Sequence, residues 1–218
     1  MNDQIIRQCI LLNNIATEHF ETGLFHHSAI HFKEALDAIH QCISVSSSVS
    51  SPSKSCKHSW SCWSKYARFQ PDIKNEVFVH FRAIFLVLHP HNIELSEVIY
   101  QYASAILYNL AVCYHAMSMI DKSTREIQLL SSKALALYNM SLSVMEQSPV
   151  SNDRVLVTAL YNNTGHILHL QGRLIEASQR LKAVQDLMPF LPVNAFAPDD
   201  LYGMFLNSLI EANVASAA

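Results

Sequence analysis

Glycine and proline are scarce, with four and seven in 218 residues. So few turn formers, beside plentiful Leu, Ala, Ile and Ser, favour long helices over a turn-rich β architecture. The four glycines stand apart at Gly23, Gly165, Gly172 and Gly203, so a phosphate-cradling loop cannot be assembled from them. An excess of one charge is also missing. Fifteen basic and 18 acidic residues are mixed along the chain for a formal net charge of −3, which leaves no basic stripe to neutralise phosphates and argues against nucleic acid as a partner. Long apolar runs are absent too. The strongest, Ala83 to Leu88, falls far short of the roughly 20 residues that cross a bilayer, so no membrane partner is expected. Asp3 and Arg7 precede a mixed segment with no uninterrupted apolar stretch, and no secretion signal is expected.

Catalytic groupings are missing as well. No nucleophile stands beside a base in a motif, and no carboxylates pair on one face, so neither an enzyme nor a cofactor is expected. The five cysteines (Cys9, Cys42, Cys56, Cys62, Cys113) are odd in number and irregular in spacing. Cys9 and Cys113 fall inside apolar helical patterns, where a free thiol acts as a small hydrophobe. A reducing compartment, cytoplasmic or nuclear, fits this usage.

Strong 3.6-residue periodicity is present in three blocks, each divided by a turn signal. The first, Gln4 to Val45, breaks near Gly23, with Ile5, Cys9, Leu12, Ile15, Ala16 and His19 or Phe20 on one face and Phe25, Ala29, Phe32, Ala35, Leu36 and Ile39 on the next. The second runs from about Ser96 to Ser148 and breaks between Ser118 and Lys122, where Asp121 is a candidate cap. The third begins at Asn152 or Asp153, breaks at Gly172 and ends before Pro189. A last amphipathic helix, 199–216, would use Leu201, Met204, Phe205, Leu209 and Ile210 as its apolar face.

Between the first two blocks, residues 46–72 include the tract "SVSSSVSSPSKS", which offers little apolar surface to repay its ordering entropy and should be mobile. The stretch "EVFVHFRAIFLVL" that follows is β-branched and aromatic but alternates only in part. Strand and buried helix compete for residues 76–88, and an extended segment is the preferred reading.

Aligned on their turns, the hairpins share a pattern: "NIATEHFETGLFHHSAIHFKEAL", "NLAVCYHAMS" continuing into "ALALYNMSL", and "NTGHILHLQGRLIEASQRL". In each, an Asn stands two residues before a small residue (Asn14 and Ala16, Asn109 and Ala111, Asn163 and Gly165), and the turn follows at Gly23, Ser118 and Gly172. Small residues let two helices approach closely, and Ser28, Ala134 and Ala177 return the favour from the second helix. The second hairpin fits only with about three extra helical turns between Ser118 and Ala134, an insertion that preserves the apolar phase.

This pattern resembles the tetratricopeptide repeat, a helical hairpin of about 34 residues with small residues at fixed crossings and a closing Pro, here Pro189. The resemblance covers roughly half the chain and implies an all-α fold: a short right-handed superhelical stack of hairpins in a single domain, with a C-terminal capping helix and a partly disordered central insertion. It implies a protein–protein interaction module, an adaptor or scaffold, that binds an extended polypeptide in a concave groove lined by the first helix of each hairpin. By resemblance, Asn14, Asn109 and Asn163 would hydrogen-bond the ligand main chain, with Asn13, Thr17, Tyr108, His115, Asn162, His166 and His169 around them. Loss of one Asn is then expected to weaken binding and leave folding intact, and acidification through about 6.5 should alter affinity through His166 and His169. The alternative reading of these Asn is that they only tie helix to helix.

Within that family, binding of the acidic C-terminal tails of heat-shock chaperones needs a clamp of two Lys, two Asn and an Arg. Only Asn109 matches; Asn13, Thr17, Ala159 and Asn163 occupy the other places, so a buried carboxylate would go unpaired and that ligand class is rejected. The alternative function is a metal-binding or enzymatic protein using the central insertion. Cys56, His58 and Cys62 are within reach of one zinc, but a fourth ligand would have to come from His80, His89 or His91; His166 and His169 at i, i+3 lack companions.

Overall fold

The structure, a computed structural model, describes residues 2–46, 66–68, 79–87, 95–120, 123–147, 153–192 and 195–216. It is mostly helical. Where a single domain is the sequence expectation, the chain divides into two compact units, one of Met1–Pro71 with Phe81–Asn152 and the other of Asp72–His80 with Asp153–Ala218.

In the first unit, α1 (Asn2–Glu21) and α2 (Phe25–Ser46) form a hairpin, as do α3 (Leu95–Ile120) and α4 (Thr124–Glu146), and α2 packs on α3. The α1–α2 turn is made at Gly23, whose φ of +77° suits a residue without Cβ. The Gly23 amide donates to Phe20 and the Leu24 amide to His19, which satisfies carbonyls at the end of α1. Ala16 and Ser28 form the crossing: both are buried, and the Ser28 hydroxyl donates to the Ala16 carbonyl at 2.8 Å. Cys113 Sγ donates to the Phe25 carbonyl at 3.1 Å, and Ser104 and Ser141 join α3 to α4. The second hairpin turns later than its alignment suggests, because Ser118 is still helical and buried and α3 continues to Ile120. Asp121 lies outside the described residues.

Two short strands complete this unit. β1 (Tyr66–Arg68) pairs antiparallel with β2 (Arg82–Ile84), Tyr66 opposite Ile84 and Arg68 opposite Arg82. β1 thus falls inside the stretch expected to be mobile, whose residues 47–65 lie outside the described residues. Around β2 the chain is extended over 79–87, and of these residues only Val87 is exposed while Arg82 and Phe85 are half-buried. Burial on both faces explains the near-continuous apolar run and its weak alternation. The β2 strand touches α1 and α3. By length and composition α3 is apolar enough over Ile99–Ile120 to cross a bilayer, a feature the longest uninterrupted run did not reveal, but 83 % of that stretch is buried inside the protein.

In the second unit, α5 (Arg154–Leu170) and α6 (Leu174–Leu187) form a hairpin with the same turn chemistry: Gly172 has φ +73°, its amide donates to His169, and the Arg173 amide donates to Leu168. Asp153 caps α5, its carboxylate accepting from the Val155 and Leu156 amides. A 3-10 turn, Met188–Phe190, contains Pro189, and α7 (Pro198–Ser216) packs on α6. The apolar face expected for α7 is corrected in part: Met204 is buried, but Phe205 and Leu209 are exposed, and the inward positions also include Asp200, Asn207 and Ser208.

Candidate functional site

The stripe of amides on the first helix of each hairpin faces extended chain, and that chain is the protein's own. In the first unit, the Asn109 side chain accepts from the Ile84 amide at 2.7 Å and donates to the Ile84 carbonyl at 2.8 Å. Asn14 repeats this two residues on, accepting from the Leu86 amide at 2.8 Å and donating to the Leu86 carbonyl at 2.9 Å. A primary amide presents one C=O and one N–H₂, so it pairs with a peptide group as a neighbouring strand would. Successive residues of a strand turn their hydrogen-bonding groups to opposite edges. Ile84 and Leu86 therefore share the edge read by the asparagines, while Ala83 faces β1.

These rungs are braced from behind. Asn109 Nδ2 also donates to Asn13 Oδ1 at 2.9 Å, and Asn13 Nδ2 donates to the Ile84 carbonyl at 2.9 Å and to Asn14 Oδ1 at 3.1 Å. Thr17 donates to the Asn13 carbonyl and reaches the Ile84 carbonyl at 3.5 Å. Asn13, Thr17 and Asn109 are fully buried and Asn14 is half-buried. The Phe81 ring meets the His115 ring edge-on at 5.3 Å, and His115 Nδ1 lies 3.3 Å from the Tyr138 hydroxyl.

In the second unit Asn163 does the same at His80, accepting from its amide at 2.9 Å and donating to its carbonyl at 3.0 Å. Its brace is Asn162, which donates to Asn163 Oδ1 at 3.2 Å and accepts from Asn207 Nδ2 at 2.8 Å. The buried His80 ring meets Phe196 edge-on at 5.0 Å, and its Nδ1 lies 3.8 Å from the Asp200 carboxylate. Asp200 stands in the first turn of α7, where the amide dipoles favour negative charge.

Several sequence expectations change. In the first unit Asn14, Asn109, Asn13, Thr17 and His115 touch the segment Phe81–Val87, and in the second Asn163 touches His80. Tyr108 packs against Tyr138 of α4, with ring centroids 5.9 Å apart. Asn162 ties α5 to α7, so both readings of the asparagines, main-chain partner and helix tie, have examples here. His166 is fully buried, and burial followed by the nearby His169 lowers its pKa to about 4. It is therefore neutral near pH 6.5 and no switch there. Because Asn109 and Asn163 hold the fold's own backbone and are fully buried, their loss must also affect folding, against the expectation that it would not.

Two contributors escaped the sequence reading. Tyr102 donates to the Val87 carbonyl at 2.7 Å; it lies two helical turns before Asn109, so the helical period pointed to the same face. His80 stood out in the sequence only as a possible fourth zinc ligand, and nothing local marked its backbone as a partner of Asn163. Cys56, His58, Cys62, His89 and His91 lie outside the described residues, and among those described no group of three His, Cys, Asp or Glu is placed to hold a metal. Cys9 and Cys113 are buried free thiols, each pushed up to about 12 chiefly by burial. Neither is an activated nucleophile.

The chain matches no family model, no curated protein and no solved structure.

Proposed function

We propose that this protein is a non-enzymatic protein–protein interaction module, an adaptor or scaffold built on tetratricopeptide-like hairpins, whose Asn14, Asn109 and Asn163 hold an extended polypeptide by its main chain. The observation that carries this reading is the paired N–H and C=O bonding of each of these asparagines to extended backbone, at Leu86, Ile84 and His80. Such pairing gives affinity without reading side chains, as in the addition of a strand to a sheet edge. The side chains that form the rungs, Asn14, Asn109 and Asn163, carry no charge, so a partner segment would be mainly neutral. Acidic tails find no clamp.

The test begins with proximity labelling or pull-down using the full chain, followed by binding of an identified partner to Asn14→Ala. Asn14 is half-buried, so this variant should fold. Loss of its two main-chain bonds should weaken the complex about five- to hundredfold, from about 1–3 kcal/mol. Normal binding by Asn14→Ala and by folded Asn109→Ala, with loss on changing the opposite helical faces, would contradict the proposal.

A further inference from the structure

We propose that the extended segment Phe81–Val87 is an exchangeable occupant of the asparagine rungs of the first unit, and that the partner taken in trans is a second extended, mainly apolar polypeptide that replaces it. This rests on the interaction-module reading above and specifies what its site binds. Three observations carry it. First, the bonds that Asn109, Asn13, Asn14 and Tyr102 make to the segment all go to its main chain: Asn109 and Asn13 to Ile84, Asn14 to Leu86 and Tyr102 to Val87. An amide side chain cannot distinguish one residue's peptide group from another's, so any extended chain with an N–H at positions i and i+2 satisfies Asn109 and Asn14. Second, the three-residue strand β2 belongs to a two-stranded sheet, and such a ribbon does not stand alone in water. It is held by the helices. Third, the helices hold one another without it, through Ser28 on Ala16, Cys113 on Phe25 and Ser104 on Ser141, so the hairpins keep their contacts when the segment leaves.

The packing around the segment defines the entrant. Phe81, Ala83, Ile84 and Leu86 are buried, Phe81 against His115, whereas Arg82 and Phe85 are half-buried and Val87 is exposed. A replacing chain is therefore apolar at the positions of Phe81, Ile84 and Leu86, small at Ala83, and free of proline at Ile84 and Leu86. It must also compete with a tethered rival, whose effective concentration is in the millimolar range for a short linker. If the site stands open about 1 % of the time, an entrant binds about a hundredfold more weakly than to an empty site.

The probe is a fluorescein-labelled peptide with the sequence of residues 79–87, flanked by lysines for solubility. It is titrated into the wild-type chain and into Leu86→Asp, which weakens the resident segment and leaves the rungs intact. Leu86→Asp should bind at least tenfold more tightly than wild type. A peptide with proline in place of Ile84 should lose at least tenfold, because it has no N–H for Asn109, and Asn109→Ala added to Leu86→Asp should weaken binding at least tenfold. A helical Leu86→Asp that ignores the peptide, or binds the proline peptide equally well, overturns the proposal. Should Leu86→Asp fail to fold, amide exchange on the wild type decides: Ile84 and Leu86 exchanging faster than Val112 of α3 supports exchangeability, and exchange only together with Val112 overturns it. A partner that binds while Ile84 and Leu86 stay protected would overturn displacement and leave the interaction-module reading standing. Peptide exchange with normal partner binding by Asn14→Ala would do the reverse.

Discussion

Asn109 in the first unit and Asn163 in the second make the same pair of bonds to extended chain, but what stands behind them differs. The Ile84 carbonyl held by Asn109 is also held by Asn13, and Asn14 reads the next residue on the same edge. The His80 backbone held by Asn163 sits instead beside a buried histidine ring near a carboxylate, and Asn163 is steadied through Asn162 from α7. Redundant amides let one contact fail while its neighbour keeps the backbone paired. In the second unit one side chain, Asn163, supplies both an acceptor and a donor to the His80 backbone.

The largest break in this comparison is expected two residues beyond each rung. At Gly165 a Cβ would lie 2.7 Å from Leu181 Cδ2 and Cγ, whereas the equivalent Ala111 already carries a methyl and is fully buried. Gly165→Leu should therefore overpack the α5–α6 crossing and cost about 1–3 kcal/mol or more. An unchanged melting temperature would show that this crossing is looser than described.

Next come the rungs. Asn163→Ala removes both bonds to His80, while Asn109→Ala leaves the Ile84 carbonyl its bond from Asn13. Each should destabilise by about 1–3 kcal/mol, since a buried peptide group loses its partner, with Asn163→Ala at least as costly. Chemical denaturation of both variants checks the order, and a clearly larger loss for Asn109→Ala would contradict the redundancy.

The second unit also carries an acid response of its own. His166 of α5 titrates near 4 in the folded state because of its burial, against about 6.5 when unfolded. Between these values the unfolded chain binds a proton that the folded chain refuses, so stability present above about pH 6.5 is lost as pH falls toward 4. The loss is about 3 kcal/mol at most. Denaturant melts of wild type and His166→Gln across that window should converge at acid pH; parallel curves would remove His166 as the cause. The smallest expected effect is on thiol chemistry: Cys9 and Cys113, raised to about 12, should resist maleimide in the native state, and labelling as fast as in denaturant would contradict their burial.

The helical hairpins were legible because their signals are local. Gly23 and Gly172 mark left-handed turns, Asp153 is a cap, and the 3.6 period fixes which residues turn inward. Ser118 misled because a second hairpin with no glycine at its turn lets the helix run on to Ile120. The asparagines were legible as a recurring stripe, but not their occupant, because a strand buried on both faces gives up the alternation that would announce it. His80, the asparagine brace from Asn207, and the polar inward face of α7 arise from contacts between residues distant in sequence, and no pattern along the chain reports those.

The central claim is that asparagine side chains hold extended main chain, and the most direct measurement is of their own N–H₂ protons in the full chain by nuclear magnetic resonance. The account predicts slowly exchanging side-chain amides for Asn109 and Asn163, with short-range cross-relaxation from Asn109 Hδ2 to the backbone of Ile84 and from Asn163 Hδ2 to that of His80. Side-chain amides that exchange with water as fast as those of an unfolded chain, with no contact to Ile84 or His80, would contradict it.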